Sequence, residues 1–174
     1  MKIISIMIAS ALMAQSLQAK STTALLGDAF AAGLPLSAGA YAYFKDNKEG
    51  QMQFIKSYTA TMATTMALKY TVREKRPDTD EHDSFPSGHT SSAFAGASFI
   101  HQRYGWKMAL VPYVAALYTG YSRIQVNRHH THDVLAGAAL ALASSWYFVT
   151  PYKNVSIHAL NDGKRNKIEL TYNY

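Results

Sequence analysis

Residues 85–92 read FPSGHTSS. A charged stretch precedes them, KYTVREKRPDTDEHD at 69–83, and an apolar one follows, AFAGASFI at 93–100. The junction predicts the start of a helix. Ser87 is a strong N-cap residue, because its hydroxyl can accept a backbone N–H of the first turn. Gly88 carries no Cβ and lets another backbone or a ligand come close. A helix N-terminus also presents unpaired N–H groups and the positive end of the helix dipole, which suit a phosphate. On this stretch alone two readings stand: a plain cap beside a surface His89, or an anion site.

Outward from that junction the pattern is helical. Helices are predicted over 51–71, 88–102, 107–121 and 129–148, with Phe54, Tyr58, Met62, Met66 and Leu68 near one face of the first. Residues 24–44 are small and apolar, with a break expected near Gly33 and Pro35. Pro112 is a candidate kink in the 107–121 helix. KDNKEG at 45–50 and Tyr104-Gly105 are turns, and 72–87 is a charged loop. The tail alternates in NVSIHAL and NKIELTYN around NDGK, which predicts a β-hairpin within 153–174. The expected fold class is all-α, a compact bundle of buried helices with a short C-terminal β-hairpin.

Composition narrows the function. The 174 residues carry a net charge of +6 and no cysteine. Disulfides, thiolate nucleophiles and Cys-based zinc sites are excluded. The basic balance favours anionic partners, phosphate esters and lipid headgroups among them, and nucleic acid is not the expected one. The opening MKIISIMIASALMAQSLQA, residues 1–19, has the pattern of a secretory signal: Lys2, an apolar run from Ile3 to Ala14, and Ala19 before the cut. The alternative is an uncleaved anchor. Residues 20–174 then form one domain, placed in the periplasm or otherwise outside the cytoplasm, soluble or membrane-associated. Runs of 15 to 18 residues and the polar Gln53 and Lys56 favour a packed bundle, since a bilayer span wants about 20 apolar residues. An integral membrane protein remains the alternative, because six apolar segments can be drawn if 3–19 and 24–44 are counted.

Three charged clusters fall at helix ends: KYTVREKRP at 69–77, PSGH at 86–89 and SRIQVNRHHTHD at 122–133. In an up-down bundle the end of one helix neighbours the start of the next, so all three can share one end of the domain. His129 and Asp133, spaced i and i+4, are expected on one helix face. There the carboxylate can fix the tautomer of His129 and leave Nε2 free as nucleophile or base. Lys69, Arg76 and Arg123 can hold phosphate oxygens. Two histidines, these cations and a helix N-terminus together point to phosphoryl transfer. The run HHTHD leaves a Zn or Ni site open through His130 and His132, although His129 and Asp133 already account for each other.

These residues resemble a known family. Lys69 with Arg76-Pro77 fits K-x6-R-P, residues 86–89 give P-S-G-H, and Ser122-Arg123, His129 and Asp133 fit S-R-x5-H-x3-D. The chain resembles the type 2 phosphatidic acid phosphatase family, which shares its site with bacterial non-specific acid phosphatases and vanadium haloperoxidases. The resemblance implies that His129 attacks phosphorus to give a phosphohistidine, that Asp133 orients it, and that His89 protonates the leaving oxygen and then activates water. It implies that Lys69, Arg76 and Arg123, with the Ser87 hydroxyl and the Gly88 N–H, hold the phosphate, and that neither metal nor cofactor is needed. The expected function is hydrolysis of phosphate monoesters or diphosphates, lipid phosphates above all. Small soluble esters are the first alternative. A vanadium haloperoxidase and a periplasmic metal- or anion-binding protein without turnover are the others.

Overall fold

The computed structural model describes the backbone of residues 2–152, 154–161 and 166–173 and the side chains of residues 22–152. Five helices form the domain: α1 (Lys2–Lys45), α2 (Lys48–Val72), α3 (Gly88–Tyr104), α4 (Trp106–Gln125) and α5 (Thr131–Phe148). Helix α3 is the axis, packed against each of the other four. Its composition is the reason. Residues 90–100 are all buried, and apart from Phe94, Phe99 and Ile100 they are Ala, Ser, Thr or Gly, so four neighbours can come close at once.

The break expected at Gly33 and Pro35 does not occur: α1 runs through both. A proline lacks the N–H that would bond the carbonyl four residues back. That carbonyl, on Ala31, instead accepts the Ser92 hydroxyl of α3 at 2.7 Å. The two helices cross where a Cβ on Gly96 would stand 2.6 Å from the Leu34 backbone, so only glycine permits the approach. Helix α4 is likewise continuous through Pro112 and reaches Gln125, which brings Ser122 and Arg123 into its last turn.

The expectation of buried helices holds for α3 alone. The outer helices turn large apolar side chains outward, among them Leu36, Val111, Leu117, Trp146 and Tyr147, while Ser57, Thr61, Thr65, Thr119 and Ser145 are buried. Small and hydroxylated residues at helix contacts, with bulky apolar ones outside, is the distribution suited to an apolar surrounding. Among the described residues no helix is long and apolar enough to cross a membrane.

At the end of the bundle where α3 stops, an ion pair ties three segments together. Arg103 donates twice to Asp46, at 2.7 and 2.9 Å, and once to the Thr150 carbonyl at 3.0 Å, and Tyr104 donates to Asp46 at 2.8 Å. Beyond α5, Asn154–Asn161 (β1) and Asn166–Asn173 (β2) pair antiparallel with each other. No packing of this pair on the helices is found among the described residues. The expected cleavage after Ala19 falls on residues whose side chains lie outside the described ones.

Candidate functional site

The three charged clusters meet at the opposite end. A cavity of about 550 Å³ is lined by Arg76 from the α2–α3 loop, His89 from the first turn of α3, Arg123 from the last turn of α4, His129 from the α4–α5 loop, and Asp28 from α1.

His129 differs from expectation in its setting. Helix α5 begins at Thr131, not at 129, so His129 precedes the helix rather than sharing a face of it with Asp133. The two still meet, because the chain turns at the helix cap. Asp133, in the first turn, reaches back to accept the His130 N–H at 2.8 Å, and this leaves its Oδ2 3.4 Å from Nδ1 of His129. The Ser84 hydroxyl donates to the same oxygen at 2.6 Å. The His129 and Asp133 side chains are buried, and Nε2 is the His129 nitrogen turned away from the carboxylate.

Electrostatics keep His129 neutral. Burial, then the positive charges of Lys69 and Arg76, lower its pKa to about 4, against a smaller opposing pull from Asp133. A neutral imidazole with a free nitrogen can attack an electrophile. His89 is also held below the ordinary imidazole range, by burial and by Arg123, with Asp28 opposing.

The cations are positioned by partners that the sequence did not single out. Arg76 donates in bidentate fashion to Asp83 at 2.6 and 3.0 Å, which holds its pKa up. Lys69 donates to the carbonyls of Asp83 and Ser84. Arg123 is buried, donating to the Ala24 carbonyl and to Asp28 Oδ1, each at 2.8 Å. The same Asp28 oxygen lies 3.0 Å from Nε2 of His89. Asp28 therefore joins the two cavity walls formed by α3 and α4.

Ser87 and Gly88 stand at the α3 N-terminus as expected. The Ser87 hydroxyl caps it, accepting from the Thr90 N–H and hydroxyl, and is fully buried. The Ser87 N–H donates to the Asp133 carbonyl at 3.0 Å, stitching the two helix starts together. A Cβ on Gly88 would meet only Lys69 Cε, at 3.8 Å, so the first residue of the helix stays open. Behind Asp133, His132 stands 2.7 Å from Glu74 and its ring stacks on His130. Asp28, Asp83 and Ser84 carried no signal in the sequence: each lies outside the clustered cations and histidines or is one acid among many.

Comparison with known proteins fits this geometry. The PAP2 superfamily model matches residues 50–156. The lipid A 1-phosphatase of Porphyromonas gingivalis is 44% identical over 79 residues, covering 44% of this chain and 18% of that protein. The lipid A 4'-phosphatase of Helicobacter pylori is 37% identical over 79 residues, covering 45% and 40%. The chain thus spans less than half the length of these curated relatives. The crystal structure of Aquifex aeolicus LpxE superposes with a TM-score of 0.61 over 74% of this chain and 81% of that one, at 22% identity, a likeness of fold.

Proposed function

The chain belongs to the PAP2 superfamily, and from that premise we propose that it is a metal-independent phosphatase acting on a lipid phosphate through a phosphohistidine at His129. One observation carries the proposal: His129, held neutral and backed by Asp133 and Ser84, faces a cavity whose other walls bear His89, Arg76 and Arg123.

The steps follow from the groups. The phosphate oxygens take the places between Arg76, Arg123, Lys69 and the open α3 start at Gly88, with Ser87 fixing that turn. Nε2 of His129 attacks phosphorus as the ester P–O bond breaks, and His89 gives its proton to the leaving oxygen. Asp133 stabilises the charge that develops on the imidazole. His89, now neutral, takes a proton from water, whose oxygen attacks phosphorus and frees His129. The cations bear the charge that gathers on the equatorial oxygens, as phosphoryl transfer requires.

A lipid substrate is favoured by two observations. The relatives named above are lipid A phosphatases. The outer helices also expose Leu36, Val111, Leu117, Trp146 and Tyr147, apolar side chains suited to contact with acyl chains. An extracytoplasmic, membrane-associated location belongs to the proposal, in keeping with the apolar run from Ile3 to Ala14.

The test is phosphate release by the full chain in detergent micelles with EDTA present, on a disaccharide lipid phosphate, a phosphatidic acid and p-nitrophenyl phosphate, with His129→Ala as control. Turnover of a lipid substrate that vanishes in the control supports the proposal. Preference for p-nitrophenyl phosphate would replace it with a soluble-ester phosphatase, and loss of turnover in EDTA would refute the metal-free mechanism.

A further inference from the structure

We propose that Glu74, His132 and Asp133 form a transition-metal site of the zinc class on the outer side of Asp133, and that filling it slows the enzyme. The site itself goes beyond the phosphatase chemistry; its inhibitory effect rests on that reading.

The donors are already gathered. Single atoms of Glu74, His132 and Asp133 lie within 4.8 Å of one another. His132 Nε2 is 2.7 Å from Glu74 Oε1 and 3.3 Å from Asp133 Oδ1. His130 lies beside them as a wall and not a ligand: its ring is parallel to that of His132 with centroids 5.2 Å apart, and its Nε2 faces the Lys75 carbonyl at 3.3 Å.

The second observation is on Asp133. Its Oδ2 accepts from Ser84 and from the His130 N–H, with Nδ1 of His129 close by. Its Oδ1 is buried and accepts no hydrogen bond, although His132 Nε2 stands 3.3 Å from it. A buried carboxylate oxygen left unpaired is costly, and such an atom asks for an explanation. This one points to the Glu74–His132 pair.

The His132 imidazole and one oxygen each of Glu74 and Asp133 make a three-donor set that suits zinc, with bonds of about 2.0–2.2 Å and a fourth position left to water. Bonds of that length place neighbouring donors about 3.4 Å apart, so small movements of Glu74 and His132 close the site. The His132 and His130 side chains are 57% and 41% exposed, which gives a metal an entry path.

The coupling is through one carboxylate. A cation on Oδ1 withdraws negative charge from Oδ2. The hold on Nδ1 of His129 weakens, and the imidazolium that forms during attack is less stabilised. Metal binding and phosphoryl transfer therefore oppose each other.

The full chain in detergent, stripped with EDTA and freed of it, would be titrated with Zn²⁺ against a chromophoric chelator, with p-nitrophenyl phosphate turnover followed on the same samples. His132→Ala and Glu74→Gln are the variants. The expected result is one Zn²⁺ per chain, affinity at least about tenfold weaker in each variant, unchanged metal-free turnover, and an inhibition midpoint that moves with the affinity. Equal affinity in parent and both variants overturns the site. Weaker binding with Zn²⁺ inhibition undiminished overturns the coupling. Binding is read without turnover, so a chain that hydrolyses nothing counts against the phosphatase proposal while the site is still judged.

Discussion

Ser84 Oγ lies 2.6 Å from Oδ2 of Asp133, the oxygen that also stands 3.4 Å from Nδ1 of His129. The serine comes from the α2–α3 loop, the aspartate from α5 and the histidine from the α4–α5 loop, so three segments converge on one carboxylate oxygen. The Ser84 N–H is itself fixed by the Glu74 carbonyl at 2.9 Å. In the proposed mechanism Ser84 is thus a positioning residue: it sets where the carboxylate stands, and the carboxylate sets how His129 would face phosphorus.

Ser84→Ala removes a hydrogen bond to a charged group, worth about 1.5–3 kcal/mol. Expressed in the transition state, that is a fall in kcat of roughly 10- to 100-fold. KM should change little, because Ser84 does not line the cavity. Asp133→Asn should cost roughly 10²- to 10⁴-fold, as loss of the group that orients a catalytic imidazole does. Steady-state kinetics on a soluble ester decide it, and a Ser84→Ala enzyme altered only in KM would contradict the positioning role.

The depressed pKa of His129 fixes a pH dependence. Its folded value, about 4, lies below its ordinary 6.5, so the native state binds fewer protons than the unfolded one between those values. Stability from this group is full above about pH 6.5 and is lost as pH falls towards 4. The same shift keeps His129, the proposed nucleophile, unprotonated through the mildly acidic range. Imidazole NMR of the substrate-free chain should place His129 near 4; titration near 6.5 would contradict the electrostatic account.

Asp28 holds His89 Nε2 at 3.0 Å and Arg123 at 2.8 Å. Burial and Arg123 lower the His89 pKa, and the Asp28 charge opposes them. Asp28→Asn should lower it further. If His89 is the proposed general acid, its proton is then lost at lower pH, so the alkaline limb of kcat against pH moves to lower pH. A limb that stays in place would show that Asp28 does not govern the acid.

Asp46 and Arg103 form an ion pair with side chains 0% and 3% exposed at the other end of the bundle. Asp46→Ala leaves a buried guanidinium without its partner, which costs about 3–5 kcal/mol. Denaturant unfolding of parent and variant should show that loss, with kcat per folded molecule unchanged because the pair lies far from the cavity residues along α3.

Much of the site was legible because its residues cluster in sequence at helix ends. The pairing of His129 with Asp133 followed from their spacing, although the structure reaches it through a helix cap, with Asp133 turned back onto the His130 N–H. Asp28 was not legible. It lies 95 residues from Arg123 and meets it only because α1 crosses α4 at Gly27, where a Cβ would collide with the Ser122 hydroxyl. The continuity of α1 was hidden for a similar reason. Pro35 reads locally as a break, and the Ser92 hydroxyl that takes up the freed carbonyl belongs to another helix. The outward apolar faces were hidden because α1, α4 and α5 carry Ala together with Leu or Val around the helix, so periodicity alone did not mark which side is buried.

The most direct measurement is a rapid quench of the full chain turning over a lipid phosphate in EDTA, with the adduct located by mass spectrometry of the peptides under conditions that preserve phosphohistidine. The account predicts phosphate on His129, formed and lost at rates that match turnover and absent from His129→Ala. Turnover with no phosphate on His129, or turnover that survives His129→Ala, would contradict it.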